Sequence, residues 1–376
     1  MKRNTVTLLI LLITTCFLFG CQKKETPEEP AEPEKVEEET PVVEEEEEEP
    51  AEETKEGMVR SYTTGQWIDE TIGGQRPLAI MFGNTVDAVP QFGISHADVV
   101  YEVPVEGSYT RLMGIFQDIS GLEKIGSIRS CRHYFIYFAK EFDAIYTHYG
   151  QAVYAEAMLS RDDVNNLNGM DSSIESIAFY RDSSRKAPHN AFVSESGLKE
   201  AIELKQYPTT YNENYNGHYV FAKDDAEVEL TDAADAKVVS PGYFVNKPWF
   251  VYNEEEKVYY RYQYKDKQID GGDDTHLSVK NIIIQYCNWS NMDENGYLDI
   301  DTMSGGEGKY VTNGKVIDIT WKKESEDSPA RYYTADGEEL AINQGKTWVC
   351  VVRNNYKDRL GIFETEEELS AARENE

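Results

Sequence analysis

Between residues 22 and 57 this chain carries 17 Glu, four Lys and five Pro, with almost nothing apolar among them. So charged a tract buries too little surface to offset its ordering entropy, and residues 21–57 read as a disordered acidic tether. Every packed element must therefore come from the 319 residues that follow. That is room for two domains of ordinary size. Proline and like-charge repulsion stiffen the tether, whose residues reach ~120 Å if extended at ~3.3 Å each.

Ahead of the tether, a basic start (Lys2, Arg3) meets an apolar stretch from Val6 to Phe19. A positive n-region, a short apolar segment and a small residue before the break are the layout of a secretory signal, here 1–20. At ~14 residues the apolar stretch is too short to span a bilayer comfortably. The ending Leu18-Phe19-Gly20-Cys21 resembles the lipobox of bacterial lipoproteins. That resemblance implies lipidation of Cys21, and two acyl chains hold a protein stably where one would not. The implied address is the extracytoplasmic face of the cell membrane, with the membrane itself as partner through the anchor.

The net charge is −32, and removing the signal and tether leaves −21 on the folded body. So acidic a body argues against nucleic acid as a partner and against anionic lipid headgroups. Apart from Cys16 in the signal and Cys21, only Cys131, Cys287 and Cys350 remain, too few for a disulfide framework. Cys287 and Cys350 both end strand-like runs, and either form one bridge or stay as buried thiols.

The fold class expected is α+β, a mixed α/β module over 58–210 followed by a mostly antiparallel β-rich module over 221–358. In the first, Pro77 to Phe82, Ala97 to Val103 and Arg111 to Gln117 are apolar runs between Gly and Pro punctuation and predict strands. Tyr134 to Phe142 predicts a buried helix, Ala152 to Arg161 an amphipathic one, and Leu198 to Lys205 a third with Ser194 as N-cap. In the second, aromatics alternate through Lys257 to Tyr264. Asn281 to Trp289, Val316 to Trp321, Arg331 to Thr334 and Thr347 to Val352 are further strands. Asn295-Gly296, Asn313-Gly314 and Asp336-Gly337 are hairpin-turn dipeptides.

A series of motifs runs through both modules: Arg76-Pro77-Leu78-Ala79-Ile80-Met81, Ala97-Asp98-Val99-Val100-Tyr101-Glu102, Glu106 to Arg111, Ile125 to Arg132, Ala187-Pro188-His189-Asn190, Gly306-Glu307-Gly308-Lys309 and Gln344 to Trp348. Together these resemble the YerB-like lipoproteins of Gram-positive bacteria, whose two modules have no assigned reaction. The family pattern commonly has alanine where Cys131 stands, which undercuts thiol chemistry there.

Arg111, Arg129 and Arg132 stand out in so acidic a protein, because guanidinium forks suit carboxylate and phosphate. With Glu102, Glu106, His148, His189 and Asn190 they form the candidate ligand-binding set. The competing reading is a group of Arg–Glu pairs that hold loops together. The carboxylate-rich loops Asp270 to His276 and Asp293 to Asp301 lack calcium-loop spacing, since the twelfth position from Asp293 is Ser304. They read as solvated turns. The sequence thus assigns no catalytic residue, no metal and no cofactor. It leaves the enzyme question open while favouring a ligand-binding or assembly factor at the cell envelope, with cell-wall material or an envelope protein as partner. The alternative is an envelope hydrolase or transferase using Glu102 and Glu106 as paired carboxylates.

Overall fold

The computed structural model describes residues 54–224 and 226–374. Residues 1–53, which hold the signal, Cys21 and all but the last four residues of the tether, lie outside them. No helix among the described residues is long and apolar enough to cross a membrane.

Four of the longer strands are buried nearly throughout and carry few polar side chains. Leu78–Gly83, Val99–Pro104 and Asn281–Cys287 are buried along their whole length, and Thr347–Arg353 at all but its last residue. Such runs suit strands covered on both faces. They form the centre of an eleven-stranded sheet whose order is Ala234–Asp235, Lys315–Lys322, Gly306–Thr312, Asn281–Cys287, Thr347–Arg353, Val99–Pro104, Thr110–Phe116, Leu78–Gly83, Ile145–His148, Asn166–Asn168, with Arg331–Tyr333 beside Lys315–Lys322. Within the antiparallel second half, Asn281–Cys287 and Thr347–Arg353 run parallel. Thr347–Arg353 also runs parallel to Val99–Pro104, with Thr347 opposite Val99 and Cys350 opposite Glu102. The two halves of the chain thus share one sheet.

Alternation divides the core into two faces. Ile80, Phe82, Val100, Ile282, Ile284 and Trp348 point to one, and Met81, Tyr101, Ile283, Val349 and Val351 to the other. The first face is covered by helices Ser172–Ala178 and Glu195–Lys205, and by a smaller sheet built on Val238–Ser240, Trp249–Asn253 and Val258–Gln263. The second carries helix His133–Lys140, which buries Tyr134, Phe135, Ile136 and Phe138. The α+β class is as expected, and so are the hairpin dipeptides. Asn313 and Gly314, at φ 49° and 73°, turn the chain from Gly306–Thr312 into Lys315–Lys322.

One expectation is corrected. The amphipathic helix over Ala152 to Arg161 is only a 3-10 turn, Val153–Ala155, and one α-turn, Glu156–Leu159. Its start is pinned by the Ala152 N–H donating to the Cys131 carbonyl (3.1 Å), and Ala155 and Met158 are buried while Val153 is 62% exposed, so the apolar face holds only these two short turns. Helix Ser172–Ala178, capped by the Asp171 carboxylate, is absent from the sequence reading. Cys131, Cys287 and Cys350 are buried free thiols, and Cys287 and Cys350 belong to opposite core faces.

Candidate functional site

The parallel strands Leu78–Gly83, Val99–Pro104, Ile145–His148 and Asn166–Asn168 end at one edge of the sheet, where polar groups collect outside the carboxyl termini. Arg111 is the second residue of its strand there, opposite Gly83 and Val103. Its Nη1 donates to the Ser130 carbonyl. Arg132 grips Glu106 with two hydrogen bonds, Nε to Oε1 at 2.6 Å and Nη2 to Oε2 at 2.7 Å. Arg129 lies against Gly83, where a Cβ would come within 3.0 Å of its Cγ, and Nη1 donates to the Pro188 carbonyl at 3.1 Å. Among the described residues, Glu106 is the only carboxylate in ion-pair contact with any of the three.

The charges tell on one another. Burial, then the nearby Arg132 and Arg129, draws the Arg111 pKa down to about 10. Burial and Arg132 lower Arg129 as well. His189 joins this neighbourhood, its pKa lowered by burial and then by Arg129. An excess of positive charge is thus concentrated at one edge of an acidic molecule.

Other members of the candidate set go elsewhere. Asn190 accepts a hydrogen bond from Arg181 Nη1 (2.9 Å). His148 is buried against the Tyr146 ring, with Nδ1 2.9 Å from the Gly150 carbonyl and Nε2 3.3 Å from Asn166 Oδ1. Burial drives its pKa from 6.5 down to about 4. The unfolded chain therefore takes up a proton between those values that the folded state resists, so stability falls as pH drops from 6.5 towards 4. The full difference corresponds to about 3 kcal/mol. Chemical denaturation across that window should show a shallower loss for His148→Gln than for the parent chain. Equal slopes would remove His148 as the cause. Cys131 is not poised for chemistry, since burial pushes its thiol up to about 12.

Glu102 leaves the set altogether. Val103 pairs with Arg111, so Glu102 points to the opposite face, where it is wholly buried. There it forms an ion pair with Arg261 (Oε2 to Nη2, 2.6 Å) and accepts from Thr110 Oγ1 (2.8 Å), Asn246 Nδ2 (2.7 Å) and Asn84 Nδ2 (3.2 Å). The guanidinium lies over the Trp348 ring at 4.3 Å. Glu102 and Glu106 are thus each taken up by a different arginine, on different faces, and do not confront one another across a cleft. Arg261 was missed because it stands among Tyr259, Tyr260 and Tyr262. The available signal was parity, since Tyr259, Arg261 and Gln263 alternate inward.

A second buried ion pair lies on the other face. Glu141, which follows helix His133–Lys140, meets Lys323 at 2.6 Å, with both side chains at most 1% exposed. Tyr101 OH donates to Glu141 Oε2 at 3.2 Å. The acidic loop at Asp270 acts as a staple, its carboxylate accepting from the backbone N–H groups of Gly93 (2.9 Å) and Ser95 (2.8 Å). Asp163, Glu326 and Asp327 cluster closely enough to offer ligands to a cation, but Lys140 and Arg161 already pair with them.

Comparison with known proteins places this architecture. The model for the N-terminal domain of a protein of unknown function (DUF3048) matches residues 63–208, and that for its C-terminal domain matches 238–349. The curated Bacillus subtilis (strain 168) protein named "Putative lipoprotein YerB" is 31% identical over 300 residues, spanning 77% of this chain and 85% of the relative. The chain belongs to the YerB-like DUF3048 family. The crystal structure of the Bacillus subtilis YerB protein superposes with a TM-score of 0.71 at 28% identity, covering 81% of this chain and all of that one.

Several of the family-like motifs have structural explanations here. In Gly306-Glu307-Gly308-Lys309, a Cβ on Gly308 would lie 2.5 Å from the Ile284 carbonyl, and one on Gly306 2.7 Å from that of Tyr286. Only glycine lets these backbones approach so closely. In Ala187-Pro188-His189-Asn190, by contrast, Pro188 and His189 meet the arginine edge, with the Pro188 carbonyl holding Arg129.

Proposed function

We propose that this DUF3048 protein is a lipid-anchored envelope protein that binds an anionic ligand at the sheet edge through Arg111 and Arg129, with Arg132–Glu106 as the scaffold beneath them. The observation that carries this reading is three neighbouring arginines, of which only Arg132 has a carboxylate partner among the described residues, in a chain of net charge −32. Arginine pairs bidentately with phosphate and carboxylate, and such charge-assisted bonds are roughly twice as strong as neutral ones. The lipobox at Cys21 and the name of the Bacillus relative support the address, the extracytoplasmic face of the membrane. Cell-wall material or another envelope protein is the expected source of the ligand.

Arg129 is the cleaner probe. Its hydrogen bond goes to an exposed proline carbonyl, whereas Arg132 is buried and holds Glu106. Thermal protection by inorganic phosphate or citrate should be seen with the parent chain. Arg129→Ala should weaken binding by about thirty-fold, equivalent to ~2 kcal/mol of charge-assisted hydrogen bonding. Its own melting temperature should stay nearly unchanged. A large drop in melting temperature with ligand protection intact would mean that the arginines only hold loops together.

A further inference from the structure

Arg353 ends the strand Thr347–Arg353 at the same sheet edge as the arginine cluster, but it comes from the other half of the chain. The parallel register sets Cys350 opposite Glu102, so three residues on Arg353 reaches the level of Val105, beside Glu106. Tyr134, whose hydroxyl donates to the Pro104 carbonyl at 2.8 Å, interacts electrostatically with both Arg132 and Arg353. The second half closes over this region, since Tyr297 lies against the Arg132 guanidinium at 5.2 Å and Asp299 sits 3.0 Å from His133 Nε2.

The setting of Arg353 is unlike that of the paired arginines. Its guanidinium lies against two rings, Trp289 at 4.4 Å and Tyr356 at 4.5 Å. Those rings are themselves fixed, Trp289 by Nε1 donating to Asn355 Oδ1 (2.6 Å) and Tyr356 by an edge contact with Phe244 (4.9 Å). Among the described residues the Arg353 guanidinium has no hydrogen-bond or ion-pair partner. Aromatic rings hold a guanidinium through its faces, whereas its N–H bonds lie in its plane. The side chain is therefore fixed in place with its charged edge unspent, which lowers the entropy lost when an anion binds.

We propose that Arg353 is the second half's anion-binding residue, so that the ligand carries two anionic groups, phosphate or carboxylate, one held by Arg111 and Arg129 and the other by Arg353. This rests on the arginine-edge reading above and adds the class of molecule, one that spans both halves. Linked charges gain because the second contact is made at high effective concentration.

The test is calorimetric titration of the full-length chain in detergent, at physiological ionic strength so that the acidic field is screened. One arm uses linear polyphosphates of graded length beginning with inorganic phosphate, the other oligogalacturonates of graded length beginning with the monomer. Affinity should step up by about ten-fold or more once the probe is long enough to reach both positions, and the arm showing the step names the anionic group. Arg353→Gln should abolish the step and any single-anion binding at Arg353 itself, while the Arg129 position still binds the monomeric probe. Arg129→Ala should weaken both. If Arg353→Gln impairs folding, Arg353→Lys serves instead, keeping the charge while losing the planar fork, and must shrink the step several-fold. A step that survives in these variants, or no step in the parent chain, overturns the proposal while single-anion binding at Arg129 still stands. Failure of every probe to bind overturns both readings together.

Discussion

Replacing Glu102 with alanine should destabilise the folded body by about 3–5 kcal/mol, the usual consequence of breaking a buried pair and leaving one charge unmatched. The stranded group would be Arg261, 1% exposed and covered by Trp348 and Phe250, whose only carboxylate contact among the described residues is Glu102. Thr110, Asn84 and Asn246 would lose the acceptor they share. In a body of this size the melting temperature should fall on the order of 10 °C. Arg261→Met should cost somewhat less, because those three donors still solvate the carboxylate. The double variant Glu102→Leu/Arg261→Met should lose at least 2 kcal/mol less than the sum of the singles, since no charge then remains buried. Additive losses, or singles below 1 kcal/mol, would mean that water reaches the pair and screens it.

Lys323→Met should produce a loss of similar size, about 3–5 kcal/mol, with a pH dependence that identifies its origin. Burial raises the Glu141 pKa above its ordinary 4.5, and the chief opposing influence is Lys323. Without the lysine the folded state holds a proton on Glu141 that the unfolded chain gives up just above pH 4.5. The folded state then binds more protons across the interval above 4.5, so stability falls as pH rises. The variant should therefore be closest to the parent near pH 5 and furthest from it near pH 8. Tyr101, which donates to the same carboxylate, keeps a partner in either protonation state. A destabilisation independent of pH would assign the loss to packing of the lysine stem.

Strands in this chain announce themselves locally. Ile282 to Ile284 and Thr347 to Val352 are rich in β-branched and aromatic residues and bounded by turn residues, and they fold as strands. What they pair with is not local. The parallel contact of Val99–Pro104 with Thr347–Arg353 joins segments almost 250 residues apart in a chain of 376, and no turn dipeptide marks it. The site divides in the same way. Arg111, Arg129 and Arg132 were legible because arginine is conspicuous in an acidic body. Glu102 was assigned to them because it is close in sequence, yet which face it takes depends on a strand register that only the folded sheet fixes. Arg353 was unremarkable until the sheet brought it level with Glu106.

That shared sheet also bears on how such a protein can change over generations. Tyr243 places its hydroxyl 2.9 Å from the carbonyls of both Glu102 and Val351, across the seam between the two family segments. A gene rearrangement that carried off either segment alone would leave it with a bare, apolar strand edge and one half of each buried ion pair. The two segments therefore have to be inherited together.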